Sequence, residues 1–282
     1  MTKIKTVTIL GSGTSTGIPM VGCYCAVCLS TDPRDRRLRS SILLTTNDNK
    51  KILIDTSPDL RQQCFAHKIE HLDAVIITHG HADHTHGIDE LRPLTYIRSF
   101  KKLPILPLFC SKICAGILKQ KFSYIFDSNY NNGLKILGGG IPLLSLCPIK
   151  LEKRKWTEVK ICGLKINFFL CPHGHGQSMS FATSNFAYIV DCHQIPSSSV
   201  KLLKKKKLKM LMIDCLQKKV QNTHLTMQQS FDYIKEIRPK NALLFHMNHD
   251  LSHQFLEDQI KKNFLKRDTK VVPAEDNTII KL

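Results

Sequence analysis

Residues 3–10, KIKTVTIL, set polar and apolar side chains in turn, and SSILLTT (40–46) and KKILIDT (50–56) repeat the habit. A period of two buries one face of an extended chain, so these stretches predict paired strands. Further on the apolar runs become continuous and stop abruptly: HLDAVIITH (71–79), GLKINFFL (163–170), NFAYIVD (185–191), LKMLMID (208–214) and NALLFHM (241–247). They also predict strands, and each of the last four runs into or near a Cys, Asp or His at its carboxyl end. Helical spacing is found in TMQQSFDYIKEI (226–237) and SHQFLEDQIKKNF (252–264), with Thr226 and Ser252 as candidate N-caps.

Two sets of strands with helices outside them predict an α/β fold with its chemistry gathered at strand ends. No repeat recurs at the periods that build solenoids or propellers. There is no long Gly/Ser or Pro linker, and the glycine triplet 138–140 reads as a loop. The expectation is one domain over residues 1–282.

Composition narrows the class only a little. An apolar fraction of 42% and a charged fraction of 23% are ordinary for a soluble globular chain. No uncharged apolar run is long enough to span a bilayer, and the alternating start MTKIKTVTILGSG lacks the apolar core and cleavage site of a signal peptide. The 11 cysteines are scattered, which suits reduced thiols better than a disulfide framework and predicts a cytoplasmic protein with no membrane partner. A formal charge of +18 would attract phosphate-bearing molecules or nucleic acid. The lysine blocks, such as KLLKKKKLK (201–209), carry no interleaved aromatics and read as solvated faces.

The strongest chemical signal is THGHADHTHG (78–87), which follows a predicted strand and contains His79, His81, Asp83 and His84. Neutral imidazoles with a carboxylate suit borderline divalent metals, and one short loop cannot surround a metal pair alone. Further ligands must come from other strand ends, where His173 and His175, Asp191 and His193, and His246, His249 and Asp250 are candidates. A second cluster, GCYCAVC (22–28), puts Cys23, Cys25 and Cys28 into six residues, a soft ligand set one short of tetrahedral zinc. Between the first strand and this cluster, GSGTSTG (11–17) has neither the spacing of a dinucleotide fingerprint nor the ending of a phosphate loop. It reads as a tight turn whose glycines permit close backbone approach.

In combination, GTSTGIPMVGCYCAVC, IDTSPDLRQQ, THGHADHTHGIDELRPL and HMNHDLSH are similar to the PhnP-type phosphodiesterases, a subgroup of the metallo-β-lactamase-fold hydrolases. The resemblance covers about residues 7–260. It implies an αββα sandwich with a dinuclear site at the edge between two sheets. Carried across, His79, His81 and His173 would bind one metal and Asp83, His84 and His246 the other, with Asp191 bridging and zinc or manganese as the ions. His173 is preferred to His175 because it opens the HG pair at the family-typical distance before NFAYIVD.

A metal pair would activate water and neutralise a phosphoryl oxygen, leaving the departing alkoxide in need of a proton. His224, with Asp83 beside the metals, takes the catalytic role in this resemblance. Asp55 is expected to support the metal loop by accepting a hydrogen bond from a ligand or loop amide, while Arg61 and Asp89 match family positions without a firm role. The resemblance also completes the cysteine cluster: Cys23, Cys25, Cys28 and His249 would hold one structural zinc. Two departures stand out: Phe245 before His246, expected to reshape the second-metal pocket, and the basic stretch Lys204–Lys207, expected to alter substrate access.

The implied activity is metal-dependent hydrolysis of a small cyclic or nucleotide-like phosphodiester. The alternatives are an RNA or DNA nuclease of the same fold, a thioester or lactone hydrolase, and a non-catalytic zinc-binding module. Nucleic acid and a homodimer stay open as partners.

Overall fold

A computed structural model of the chain describes residues 2–127, 140–264 and 269–282. The alternating segments form β1 (Ile4–Gly11), β2 (Ser41–Thr46) and β3 (Lys51–Ile54), an antiparallel run in which Val7 pairs with Leu44 and Leu44 with Ile52. Parallel to β3 follow β4 (Ala74–Ile76), β5 (Leu106–Ser111) and β6 (Leu144–Ile149). The second sheet begins with β7 (Thr157–Ile161), β8 (Leu164–His173) and β9 (Gly176–Ala182), which pair antiparallel. It continues through β10 (Phe186–Ile189), β11 (Met210–Asp214), β12 (Asn241–Phe245) and β13 (Lys270–Pro273), all parallel. The last strand, β14 (Ile279–Lys281), returns to pair with β1, so the sheet orders are β14-β1-β2-β3-β4-β5-β6 and β13-β12-β11-β10-β9-β8-β7.

Helices cover the outer faces: α1 (Leu60–Ala66), the one-turn α2 (Ala82–Thr85), α3 (Arg92–Phe100), α4 (Lys112–Lys121) and α5 (Ser123–Phe126), then α6 (Ser197–Lys205), α7 (Met227–Ile237) and α8 (His253–Asn263). The period of two explains this layering. Ile42, Leu44, Ile52, Ile54 and Ile76 join the second sheet in one core. Their neighbours Leu43, Leu53 and Val75 point the other way, packing with Leu60, Leu94 and Leu118 of α1, α3 and α4. β10, β11 and β12 are buried at nearly every position, because helices α6–α8 cover one face and the first sheet the other. That double burial is why their sequences are continuously apolar.

Both predicted helices form with the expected caps. Thr226 and Gln229 make a reciprocal capping box on α7, and the Ser252 hydroxyl accepts from Phe255 N on α8. The glycine run is a tight turn with close contacts: a Cβ on Gly11 would lie 2.2 Å from the Arg39 carbonyl oxygen, and Gly17 has φ +63°. Of the triplet 138–140 only Gly140 lies among the described residues. Among the described residues no helix is long and apolar enough to cross a membrane.

Candidate metal centre

The carboxyl ends of β3, β4, β8, β10, β11 and β12 meet at one edge of the sandwich. They deliver Asp55, His79, His173, Asp191, Asp214 and His246, respectively, within three residues of each strand's last position. His81, Asp83 and His84 come from the turn and the single-turn helix α2 that follow β4. This helix sits close on the end of β3 because residue 87 is glycine: a Cβ there would lie 1.9 Å from the Ser57 carbonyl oxygen.

The side chains form overlapping groups. His79, His81 and His173 bring their donor atoms within 4.8 Å of one another, as do His79, His84 and Asp191, and Asp83, His84 and His246. The Asp191 carboxylate lies between the groups, with Oδ2 2.9 Å from His84 Nε2 and Oδ1 3.2 Å from His246 Nε2. His175 is exposed on the β8–β9 turn, away from these groups, whereas His173 is buried with Nε2 3.1 Å from His81 Nδ1. Only His81 among the seven is exposed, which leaves one open side.

Hydrogen bonds outside the groups set the imidazole tautomers. His84 Nδ1 donates to Asp55 Oδ2 at 2.7 Å, and His173 Nδ1 donates to the Thr223 carbonyl at 2.7 Å. The Ser40 hydroxyl donates to the Gly13 carbonyl at 2.8 Å, so it accepts from His246 Nδ1, also at 2.8 Å. In each case the outer bond occupies Nδ1 and leaves Nε2 facing the centre, the arrangement that metal-binding histidines need. His79 Nε2, His84 Nε2 and Asp191 Oδ2 are buried without any hydrogen-bond partner. Orphaned acceptors aimed at one locus fit a divalent cation.

Electrostatics point the same way. Burial disfavours a charged His84, yet Asp191, Asp83 and Asp55 outweigh it and drive its pKa well above the ordinary value. His79, beside it, is driven well below by burial and by the neighbouring imidazoles. Burial likewise pushes Asp55 up, in opposition to the pull of His84. The direction that geometry supports for this pair is an ionised Asp55, since its two oxygens accept from Thr78 N at 2.7 Å, from the Thr78 hydroxyl and from His84. Three carboxylates around His84 favour positive charge at the centre, and a bound cation would supply it in place of a proton on Nε2.

Three of these positions carry backbone strain. Asp55, Asp191 and His246 have φ +63°, +57° and +59°, a region in which L-residues each cost roughly 1–3 kcal/mol. All three occur where a strand ends and the chain turns sharply, which aims the side chain back along the sheet edge.

His224 stands on the same rim, its Nδ1 2.9 Å from Asp214 Oδ2 and 3.5 Å from Asp191 Oδ1. Burial opposes its protonation, but the two carboxylates push its pKa up to about 9. The second cluster lies nearby. Cys23, Cys25 and Cys28 surround His249 Nδ1 at 3.2, 3.4 and 3.7 Å. A backbone hydrogen bond from Cys28 pulls the Cys25 thiol down to about 6, while burial pushes Cys28 up to about 11. Met247 bonds back to the amino-terminal loop through Met247 N to Ser12 O and Thr14 N to Met247 O, both 3.1 Å, so the cysteine cluster and His246 share one tied segment.

Residues 50–247 match the Beta-lactamase superfamily domain. Over nearly its full length the chain also superposes on a diphosphatase from the PhnP family, with TM-score 0.82 and 32% identity, covering 98% of this chain and 97% of that one. The chain belongs to the PhnP family of the beta-lactamase superfamily. It is similar to the octanoyltransferase of Porphyromonas gingivalis, at 34% identity over 242 residues, 86% of this chain. It spans only 45% of the length of that relative. PqqB from Methylobacterium extorquens, solved with Zn²⁺ bound, shares the fold at TM-score 0.72 and 18% identity, covering 98% of this chain and 100% of PqqB.

Within the PhnP-family frame, several supporting residues had gone unread in the sequence. Asp214, Ser40, Thr14, Thr78 and Thr223 all touch the histidines. Asp214 alone had a signal, since it closes the apolar run LKMLMID. Arg61 and Asp89 do not pair: Arg61 lies over the Phe65 ring, and Asp89 accepts from the Tyr124 hydroxyl. The two departures take different places from those expected. Phe245 packs edge-on against Tyr188 in the core, ring centroids 5.8 Å apart, so its ring does not shape the second pocket. Lys204–Lys207 lies at the opposite sheet edge, where β11 begins, and does not border the site.

Proposed function

We propose that this PhnP-family protein is a metal-dependent phosphodiesterase, acting as one domain over residues 1–282 on a small cyclic or nucleotide-like phosphodiester. One observation carries the reading: the Asp191 carboxylate lies within 4.8 Å of His79 from one group and of His84 from the other, and His79 Nε2, His84 Nε2 and Asp191 Oδ2 are buried without a hydrogen bond. His79, His81 and His173 would hold one divalent ion, zinc or manganese, and Asp83, His84 and His246 the other. Ions bound there supply Lewis-acid activation of water and charge neutralisation at the phosphoryl group.

The chain's own residues do the rest. Asp191 and Asp83 hold negative charge at the centre, and Asp55, Ser40 and the Thr223 carbonyl fix His84, His246 and His173 in the tautomer that presents Nε2. Asp214 orients His224 through Nδ1, so Nε2 is free to deliver a proton to the leaving oxygen. Cys23, Cys25, Cys28 and His249 would bind a structural zinc, with all four positions filled by protein. This clamp would secure the loop that bonds to the strand end bearing His246.

The test is hydrolysis of bis(p-nitrophenyl) phosphate with added zinc or manganese, run beside the Asp191→Ala variant. Turnover that the variant loses is expected; equal turnover by both would overturn the assignment. A 2′,3′-cyclic nucleotide, a ribose cyclic phosphate and a labelled RNA run in parallel rank the substrates, and cleavage of RNA alone would favour a nuclease. The second reading, a thioester hydrolase, is favoured by the likeness to a protein named octanoyltransferase. An octanoyl thioester belongs in the same panel for that reason.

A further inference from the structure

The metal centre gathers acids at the carboxyl ends of the parallel strands, and the amino ends of strands in the second sheet gather cations. Lys209, Lys240 and Lys270 stand at the starts of β11, β12 and β13, tied side by side through Asn241 N to Lys209 O and Lys270 N to Lys240 O, both 3.0 Å. Neighbouring strands lie about 4.8 Å apart, so the three form a row. A cavity of about 850 Å³ opens from this row toward the ends of α6, α7 and α8. A smaller one of about 310 Å³ opens toward the first sheet, where Lys281 closes β14. Lys240 lines both, so the two adjoin as one track across the edge.

Charge in this track is one-sided. Among the described residues Glu236 is the one acidic side chain in its walls, and it faces Lys204 at 3.8 Å. Lys207, Lys209, Arg238, Lys240 and Lys281 also line it, and among the described residues none of the five forms an ion pair. Lys207 and Arg238, just beyond the last turns of α6 and α7, hold φ +47° and +55°, the left-handed region that helix ends ordinarily give to glycine. Offsetting the helix dipoles does not require them, since Lys204, Lys205 and Lys235 already occupy those last turns. The lysine blocks of the sequence lack aromatics, and the fold supplies one. Phe264, at the end of α8, lines the larger cavity with Lys235 Nζ 5.4 Å from its ring centroid.

We infer that this edge binds single-stranded nucleic acid by its phosphates, remote from the metal centre and without reading base sequence. Unpaired cations strung along a groove, with an aromatic face inside it, are the chemistry that follows a charged backbone and stacks a base. A small anion would need one cavity alone, whereas the row that joins the two suits a chain of phosphates. A bilayer surface is flat and does not enter a concave track. This binding is independent of the reaction at the metals.

Fluorescence anisotropy of a labelled oligothymidylate of about twelve nucleotides, with the full chain and across a salt series, is the test. On a single strand, log affinity falls with log salt by roughly 0.7 for each phosphate neutralised, so the five cations predict a loss of about 100-fold between about 50 and 200 mM salt. The triple variant Lys209→Gln, Lys240→Gln, Lys281→Gln keeps two of the five. It should bind at least about tenfold more weakly at the lower salt, and its loss across the same range should shrink to under about tenfold. Lys207 and Arg238 are left in place because a substitution at their left-handed backbone would mix strain with charge. The matched triple arginine variant should keep both affinity and slope, and the melting temperatures of all three proteins should agree, which separates charge from folding. No binding by wild type, a salt slope unaltered in the glutamine variant, or an equal loss in the arginine variant would each refute the track. So would capture of the protein by vesicles of phosphatidylserine and phosphatidylcholine without oligonucleotide binding, which would make this edge a membrane face.

Discussion

Asp55→Asn tests whether the imidazole tautomers are held from outside the centre. Asp55 is fully buried and divides its oxygens: Oδ1 accepts from Thr78 N at 2.7 Å, and Oδ2 from His84 Nδ1 at 2.7 Å. Asparagine has the same shape and tolerates the left-handed backbone at this position, φ +63°. The amide oxygen must stay on Thr78 N, which cannot move, so the NH₂ group faces His84 Nδ1. Two donors cannot share that contact. Either His84 moves its proton to Nε2, the atom 2.9 Å from Asp191 and 3.1 Å from Asp83, or a buried donor is left unpaired. The first route blocks a ligand position, and loss of such an outer partner weakens metal binding by about 10–100-fold, or roughly 1.4–2.8 kcal/mol. The second leaves a penalty of about 1–3 kcal/mol. Both predict that zinc competition against a chromophoric chelator will show affinity lower by one to two orders of magnitude, in a protein whose far-UV circular dichroism is that of wild type. A folded Asp55→Asn protein that binds zinc as tightly as wild type would refute the reasoning.

Three further outcomes are expected. Cys25→Ser lowers the zinc content by about one equivalent and reduces thermal stability more than it reduces turnover, as expected of a closed four-ligand site; a variant with full zinc content would sink the clamp. Gly87→Ala puts a Cβ 1.9 Å from a backbone oxygen that cannot give way, so the urea midpoint should fall by an amount equivalent to about 1–3 kcal/mol or more. An unchanged midpoint would mean that α2 can lift from β3 freely. Asp276, which accepts from Ser12 N, the Ser12 hydroxyl and Leu38 N, is pushed up by burial to about 6 from 3.8. The folded state thus binds this proton more tightly than the unfolded one, and its stabilisation is present below the unfolded value and lost as pH rises through about 6. Relative to Asp276→Asn, wild type should lose up to about 3 kcal/mol between pH 4 and pH 7; a difference that does not vary with pH contradicts the assignment.

Features that depend on near neighbours along the chain were legible in the sequence. Side-chain period marked β1, β2 and β3, continuous apolarity marked β8 and β10–β12, and the Thr226–Gln229 box marked the start of α7. Strands β5, β6, β7, β9, β13 and β14 carried no such signal. Several are short or lie at sheet edges, where half their side chains face solvent and patterning is weak. His79, His81, Asp83 and His84 were legible as a group because one turn and one helical turn hold them together.

The remainder required the folded sheets, because convergence on a point is a property of sheet order and not of spacing. The pairing of His173 with Gly176 at the end of the β8–β9 ladder turns His173 inward and leaves His175 on the exposed turn, a choice invisible in CPHGHG. Asp214 reads as the last residue of a strand until the parallel pairing of β10 and β11 sets it beside His224. His249 meets Cys28 across 221 residues of chain only because Met247 is bound to the amino-terminal loop. Local interactions shape an element within a few residues. A side-chain cluster gathered from six strand ends exists only once hydrophobic burial has stacked the two sheets and brought those ends to one edge.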